Sequence, residues 1–246
     1  MPPRVRIDRL LVERGLFDSR AKAQAAIAAG RVMVDGALVT KPSEEAGVDA
    51  VLDAEPAHPY VSRGGVKLAA ALDHFELDPA GCVCLDVGAS TGGFTQVLLA
   101  RGARLVYALD SGDSQLHSSL TIHPRVVNLE NCNIRGPVNH LLKQGSERPN
   151  FVCVDVSFIS LKLVLSPALA LARLPARLLA LIKPQFEAGR RALKKGIVRD
   201  EAVHRGVCAE ITALVRSLGW DVAGIMPSPI PGRDGNREFF IAASRA

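Results

Sequence analysis

The chain has 246 residues, 48% of them hydrophobic, with 30 Lys and Arg against 25 Asp and Glu for a formal net charge of +5. That is enough for a full core plus a small appended module, since one domain takes about 100–200 residues. Five cysteines (Cys82, Cys84, Cys132, Cys153, Cys208) form no C-x-x-C pair, six histidines lack metal-ligand spacing, and no charged-then-apolar leader opens the chain. A disulfide scaffold, a zinc site and a secreted protein are therefore disfavoured, and a cytoplasmic protein with reduced thiols and no metal is expected. The most apolar stretch, Leu161 to Leu174, is broken by Lys162, Pro167 and Arg173, so no membrane span is expected either.

The first sixty residues read as two short helices followed by strands. Ile7-Asp8-Arg9-Leu10-Leu11-Val12 has helical periodicity and closes at Gly15; Ser19 caps a second helix whose Ala23, Ala26 and Ile27 share a face before Gly30 ends it. The period then changes. Val32 to Val39 reads as strand, Asp35-Gly36 turn, strand, a strong local hairpin signal. Residues 1–41 carry eight Lys and Arg against four acids, whereas Glu44, Glu45, Asp49, Asp53 and Glu55 follow with no Lys or Arg between them. A second basic cluster, seven cations against three acids, runs from Lys183 to Arg205. Either cluster alone fits a solvated face as well as a polyanionic partner.

The spacing predicts a first domain over 1–55, a Pro-rich linker over 56–61 and a second domain over 62–246. There apolar runs at 82–87, 104–109, 125–129, 151–155, 177–182, 221–226 and 238–243 read as strands, and stretches at 65–75, 92–101, 113–121, 137–143, 159–174 and 200–218 as helices. Such alternation predicts an α/β fold with a mostly parallel seven-stranded sheet covered on both faces. The strand at 82–87 runs into Gly88-Ala89-Ser90-Thr91-Gly92-Gly93-Phe94, a small-residue turn that opens a helix. Its glycines fit neither G-x-G-x-x-G nor a phosphate loop with a lysine. Asp86 before the turn could meet a cationic group, and Asp110 ends the next strand, where such folds bind a ribose diol. That combination suits S-adenosylmethionine. Asp155 and Lys183 end two further strands, Lys67 sits in the first turn of a helix, and Glu238 leads into the last strand, so two lysines and two carboxylates are candidates for one site.

The first domain resembles the RNA-binding module first named from ribosomal protein S4, carried by Arg6-Ile7-Asp8, Ser19-Arg20, Ala23, Ile27, Gly30-Arg31-Val32 and Lys41-Pro42-Ser43. The resemblance implies RNA contacts by Arg4, Arg6, Arg20, Lys22, Arg31 and Lys41, with Arg63 of the second domain. The second domain resembles the FtsJ/RrmJ ribose 2′-O-methyltransferases, whose Lys-Asp-Lys-Glu tetrad matches Lys67, Asp155, Lys183 and Glu238. The whole chain resembles the TlyA family, often called hemolysin A, through Tyr60-Val61-Ser62-Arg63-Gly64-Gly65, Leu85 to Thr95, Asp155-Val156-Ser157-Phe158, Lys183-Pro184-Gln185-Phe186 and Gly235-Asn236-Arg237-Glu238. A Rossmann-like class I methyltransferase preceded by a small α+β module follows from that resemblance.

The same resemblance implies S-adenosylmethionine bound by Asp86, Gly88, Ala89, Ser90, Gly92, Gly93, Phe94, Asp110, Glu130, Asn133 and Asp155, and a cytidine 2′-OH of ribosomal RNA as acceptor. The sequence departs from the family at Ser111-Gly112-Asp113-Ser114, where an aromatic is common, and at Arg233, which stands for a proline and adds a candidate phosphate contact. A chain ending soon after the last strand matches members linked to the large subunit. In the implied chemistry Lys183 is proton acceptor or charge stabiliser for the alkoxide, Asp155 orients it, and Lys67 and Glu238 position the nucleotide. Two other readings are a non-catalytic RNA-binding or ribosome-assembly factor and a membrane-lytic protein.

Overall fold

The computed structural model describes residues 3–136, 146–232 and 234–246. The predicted helix at 137–143 and the phosphate contact expected of Arg233 lie outside them. The chain divides into two compact units, Met1–Pro59 and Tyr60–Ala246.

In the first unit, β1 (Arg4–Arg6) leads into α1 (Ile7–Glu13) and α2 (Arg20–Ala28), followed by β2 (Val32–Val34), β3 (Ala37–Leu38), β4 (Glu45–Gly47) and β5 (Leu52–Ala54). Ser19 caps α2 by accepting from the Lys22 amide. Asp35 and Gly36, both at positive φ, make the tight turn between β2 and β3, matching the hairpin expectation. Three short strands carried no sequence signal: β1 pairs antiparallel with β4, and β5 adds to β2. Two or three residues are too few to show a period. Ile7, Leu10, Leu11, Phe17, Ala23, Ala26, Ile27 and Val32 pack into one small core.

The second unit contains α3 (Arg63–His74), β6 (Val83–Val87), α4 (Gly93–Ala100), β7 (Leu105–Leu109), α5 (Ser118–Thr121), β8 (Val126–Leu129), β9 (Phe151–Val154), α6 (Leu165–Ala170), β10 (Ala176–Ile182), α7 (Pro184–Glu187), α8 (Glu201–Ser217), β11 (Asp221–Pro227) and β12 (Phe239–Arg245). The sheet order is β11-β12-β10-β9-β6-β7-β8, with β12 antiparallel to both neighbours and the other described pairings parallel. Val83, Leu85 and Val87 face α6 and α8, while Cys84, with Val106, Cys153 and Leu179 of the adjoining strands, faces α3 and α4. Successive strand residues point to opposite faces, so a strand covered on both must be apolar throughout. Burial pushes the Cys84 and Cys153 thiols up, and none of the five cysteines is in a disulfide. No helix among the described residues is long and apolar enough to cross a membrane.

Two predicted helices are shorter than expected, each for a local reason. The stretch 113–121 is helical only over α5, because the amides of Ser114, Gln115 and Leu116 donate to the Glu130 carboxylate instead of to a helical turn. The stretch 159–174 becomes a 3-10 turn over Leu161–Leu163 and then α6. Glu187 takes the Ser160 hydroxyl and the Leu161 amide at its start, while Arg148 donates to the carbonyls of Ala170 and Leu171 at its end.

Candidate active site

The parallel strands end along one edge of the sheet, and β12, being antiparallel, begins there: Ile182 pairs with Phe239. Asp110, Asp155 and Lys183 each follow the last residue of a strand, and Glu238 precedes β12, so topology alone brings them to this edge. The strand order reverses between β6 and β9, the place where such sheets bind ligands. A cavity of about 640 Å³ opens there, lined among others by Lys67, Gly88, Ser90, Asp110, Asn133, Asp155, Lys183 and Glu238. An adjoining cleft touches Ala89, Gly93 and Phe94 as well.

The four residues expected to carry the chemistry form two ion pairs. Lys67 Nζ lies 2.5 Å from Glu238 Oε2, both side chains buried. Lys183 Nζ lies 2.7 Å from Asp155 Oδ1 and donates to Ser157 Oγ at 2.8 Å. Charges this buried persist only when paired. The pairing also answers why Lys67 tolerates the first half of α3, where the helix dipole disfavours a cation.

The glycine turn is dictated first by sterics. A Cβ on Gly88 would sit 2.4 Å from the Asp155 carbonyl oxygen, and its φ of +86° is open mainly to glycine. A Cβ on Gly93 would sit 2.2 Å from Ser62 Oγ. The missing atom on Gly88 lets β6 and β9 end close together, which sets Gly88 beside Asp155, and that on Gly93 lets α4 start against the head of α3.

Several expected ligand residues have intramolecular partners. Asp110 accepts from the Ser90 amide on Oδ2 and from the Gly112 amide on Oδ1, both at 2.8 Å, leaving a carboxylate roughly half its acceptor sites. Asp86 does not line the cavity: its carboxyl is wholly buried beneath the turn, where Oδ2 accepts from the Thr95 hydroxyl at 2.7 Å and Oδ1 has no hydrogen-bond partner. Burial, helped by the charges of Asp155 and Asp110 and opposed by Thr95, pushes it up to about 7. Glu130 does not line the cavity either; the Leu116, Gln115 and Ser114 amides occupy its carboxylate and lower its pKa. Gly92 lies behind the turn against Leu116 and Leu120.

Side chains given no site role from sequence also line the cavity, notably Gln115, Ser157, Phe158 and Gln185. Phe158 is 90% exposed and sits at φ +62°, with its ring 5.2 Å from that of Phe186. An exposed aromatic in a strained conformation beside a cavity is a functional signal that no periodicity reveals. Gln185 Oε1 is a buried acceptor with no hydrogen-bond partner. No group of three or more His, Cys, Asp or Glu among the described residues is arranged to hold a metal.

The expected RNA-binding cations are mostly engaged within the chain. Arg6 and Arg20 both contact Asp8, Lys22 pairs with Asp18, Arg31 with Glu55, Arg4 donates to the Glu45 carbonyl, and Arg63 to that of Pro231. Lys41 is exposed. The cations other than Lys41 are engaged donors with spare N–H groups, not free charges.

A family model for FtsJ-like methyltransferases matches residues 60–245, and one for the S4 domain matches residues 5–52. The 16S/23S rRNA (cytidine-2′-O)-methyltransferase TlyA of Mycobacterium tuberculosis is 42% identical over 246 residues, 98% of this chain and 90% of its own. YqxC of Bacillus subtilis, named for rRNA methyl transfer, is 43% identical over 96% of this chain and 84% of its own. A solved structure from Streptococcus thermophilus that carries the name hemolysin is 39% identical, covers 100% of this chain and 90% of its own, and superposes with a TM-score of 0.77. The chain is thus a member of the TlyA family, in which an S4 domain precedes an FtsJ-like methyltransferase.

Proposed function

We propose that this protein transfers a methyl group from S-adenosylmethionine to the 2′-hydroxyl of a cytidine in ribosomal RNA, working in the cytoplasm on the RNA or a ribosomal subunit. The observation that carries the reading is the pair of lysine–carboxylate contacts, one buried and one largely buried, facing one cavity at the carboxyl edge of the sheet. A volume of about 640 Å³ with mixed polar and apolar lining lies within the usual range for small-molecule sites, ~300–1,000 Å³. The cradle suits a nucleoside: Asp110 keeps acceptor capacity for a diol, Asn133 and the turn at Gly88, Ala89 and Ser90 offer further polar groups, and Gln185 Oε1 awaits a donor. Gly93, Phe94 and Asp155 complete that cradle, whereas Asp86, Gly92 and Glu130 support it from behind. When bound, the cofactor supplies an electrophilic methyl on a sulfonium.

The protein's share of the chemistry is to activate and orient the acceptor. A ribose hydroxyl is a weak nucleophile and must lose its proton as it attacks. Lys183 Nζ, having first released its own proton to solvent, takes that proton as the neutral amine, and the ammonium so formed is the one that Asp155 and Ser157 hold. Lys67 and Glu238, locked to each other, fix the nucleotide at the cavity wall. Phe158 offers its exposed ring for the target base to stack on, a contact worth about 1–3 kcal/mol. The first unit and Arg63 provide the remaining phosphate contacts.

Methyl incorporation into ribosomal RNA, mapped by reverse-transcription stops, tests the reading. Lys183→Ala should lose at least about 100-fold in methyl transfer, the low end for a general base, while binding RNA and cofactor normally. Near-wild-type turnover in that variant overturns the assignment.

A further inference from the structure

Arg6 and Arg20 come from different elements, the end of β1 and the first residue of α2, yet both close on a single carboxylate. Asp8, the second residue of α1, is completely covered. Arg6 donates from Nε to Oδ1 and from Nη2 to Oδ2, each at 3.1 Å. Arg20 donates from Nε and Nη2 to Oδ2 at 3.3 and 2.7 Å, and Gln24 Nε2 adds a third side chain to that oxygen at 2.7 Å. The Arg6 hydrogen bond above all, with those of Arg20 and Gln24, holds the carboxyl well below the usual carboxylate range against the opposing effect of burial.

Both guanidiniums are gripped by the same Nε–Nη2 edge, with Nη1 uncommitted among the described residues and the side chains 42% and 53% exposed. A guanidinium is a rigid planar fork, so fixing one edge fixes where the other donors point. Arginines that search freely must lose that freedom on binding; arginines already clamped do not.

We infer that Asp8 is a positioning residue for RNA binding: it presents Arg6 and Arg20 as one pre-organised two-guanidinium site for phosphates of structured RNA. The inference rests on the reading of the first unit as an RNA-binding module. It has a sign that charge alone does not. The cluster carries +2 from the arginines and −1 from Asp8, so Asp8→Asn makes it more positive, and simple attraction to phosphate would then tighten binding. Positioning demands the opposite.

The experiment measures affinity of the full-length protein for transcribed ribosomal RNA over a salt series, with steady-state methyl transfer alongside. Asp8→Asn should bind about 10-fold more weakly with an unchanged salt slope, and should raise KM for RNA while leaving kcat within about two-fold, since two immobilised side chains are at stake and the count of phosphate contacts stays the same. Arg20→Lys, exposed enough to leave folding intact, keeps the charge and loses the fork, and should weaken binding about five-fold. Equal or tighter binding by a folded Asp8→Asn overturns the positioning role. If that variant does not fold, wild-type affinity in Arg20→Lys overturns it. Absence of RNA binding by the wild-type protein overturns instead the RNA-binding reading on which the inference stands.

Discussion

Asp8 in the first unit and Asp86 in the second are both carboxylic acids with no exposed surface, yet the two are pushed in opposite directions. Asp8 is covered by two guanidiniums and an amide, all donors, and stays ionised far into acid. Asp86 is covered by apolar strands and one hydroxyl, with Asp155 and Asp110 nearby, and rises to about 7. Burial does not set the charge of an acid; what covers it does. The first unit therefore uses its acid to hold cations outward for a partner, whereas the second keeps its acid under the turn to hold α4 against β6 through Thr95.

The largest break in that contrast is Asp8→Ala. It removes the shared partner of two half-exposed guanidiniums and should loosen α1 and α2 by about 2 kcal/mol, below the 3–5 kcal/mol of a fully buried pair because solvent reaches both arginines. Native-state hydrogen exchange of the α1 and α2 amides in the full chain measures it; unchanged protection would mean that the clamp contributes nothing to local stability.

Stability against pH sharpens the contrast further. The folded pKa of Asp8 lies below its unfolded value of ~3.9, so its contribution is present above that pH and fades as pH falls. The folded pKa of Asp86 lies above its unfolded value, so the native state holds the extra proton between about 4 and 7 and the stability contribution declines as pH rises through that window. Asp86→Asn, which stays neutral, should gain on the wild type by up to a few kcal/mol from pH 4 to 7 and no further beyond. A wild-type-minus-variant difference that is flat across the window would mean that Asp86 is ionised throughout. Smallest is Thr95→Val, which takes away the hydroxyl donor to Asp86 and should cost about 1 kcal/mol in denaturant unfolding of the second unit. A loss well above that would give Thr95 a second role.

Much of the sheet was legible in the sequence because central strands covered on both faces must be continuous apolar runs, and all seven strands of the sheet, the antiparallel β12 included, appear within about two residues of their expected ends. The glycine turn, the Asp35-Gly36 hairpin and the polar strand ends were legible for equally local reasons: positive φ at a tight turn, and charge where a buried strand reaches water. Short strands and interrupted helices were not. Whether residues 114–116 coil or wind depends on a carboxylate at Glu130, which lies on the far side of β8 in sequence.

The candidate site divides the same way. The sequence by itself determined that Asp110, Asp155, Lys183 and Glu238 reach the carboxyl edge, since each follows or precedes a strand whose direction is set by alternation with helices. Only the tertiary structure decided who pairs with whom: Lys67 with Glu238 rather than with Asp155, Asp86 beneath the turn rather than in the cavity, and Arg6 with Arg20 on one acid. Backbone periodicity reports where a chain points, but a partner 171 residues away is chosen by which side chains the packed elements bring within 3 Å of each other.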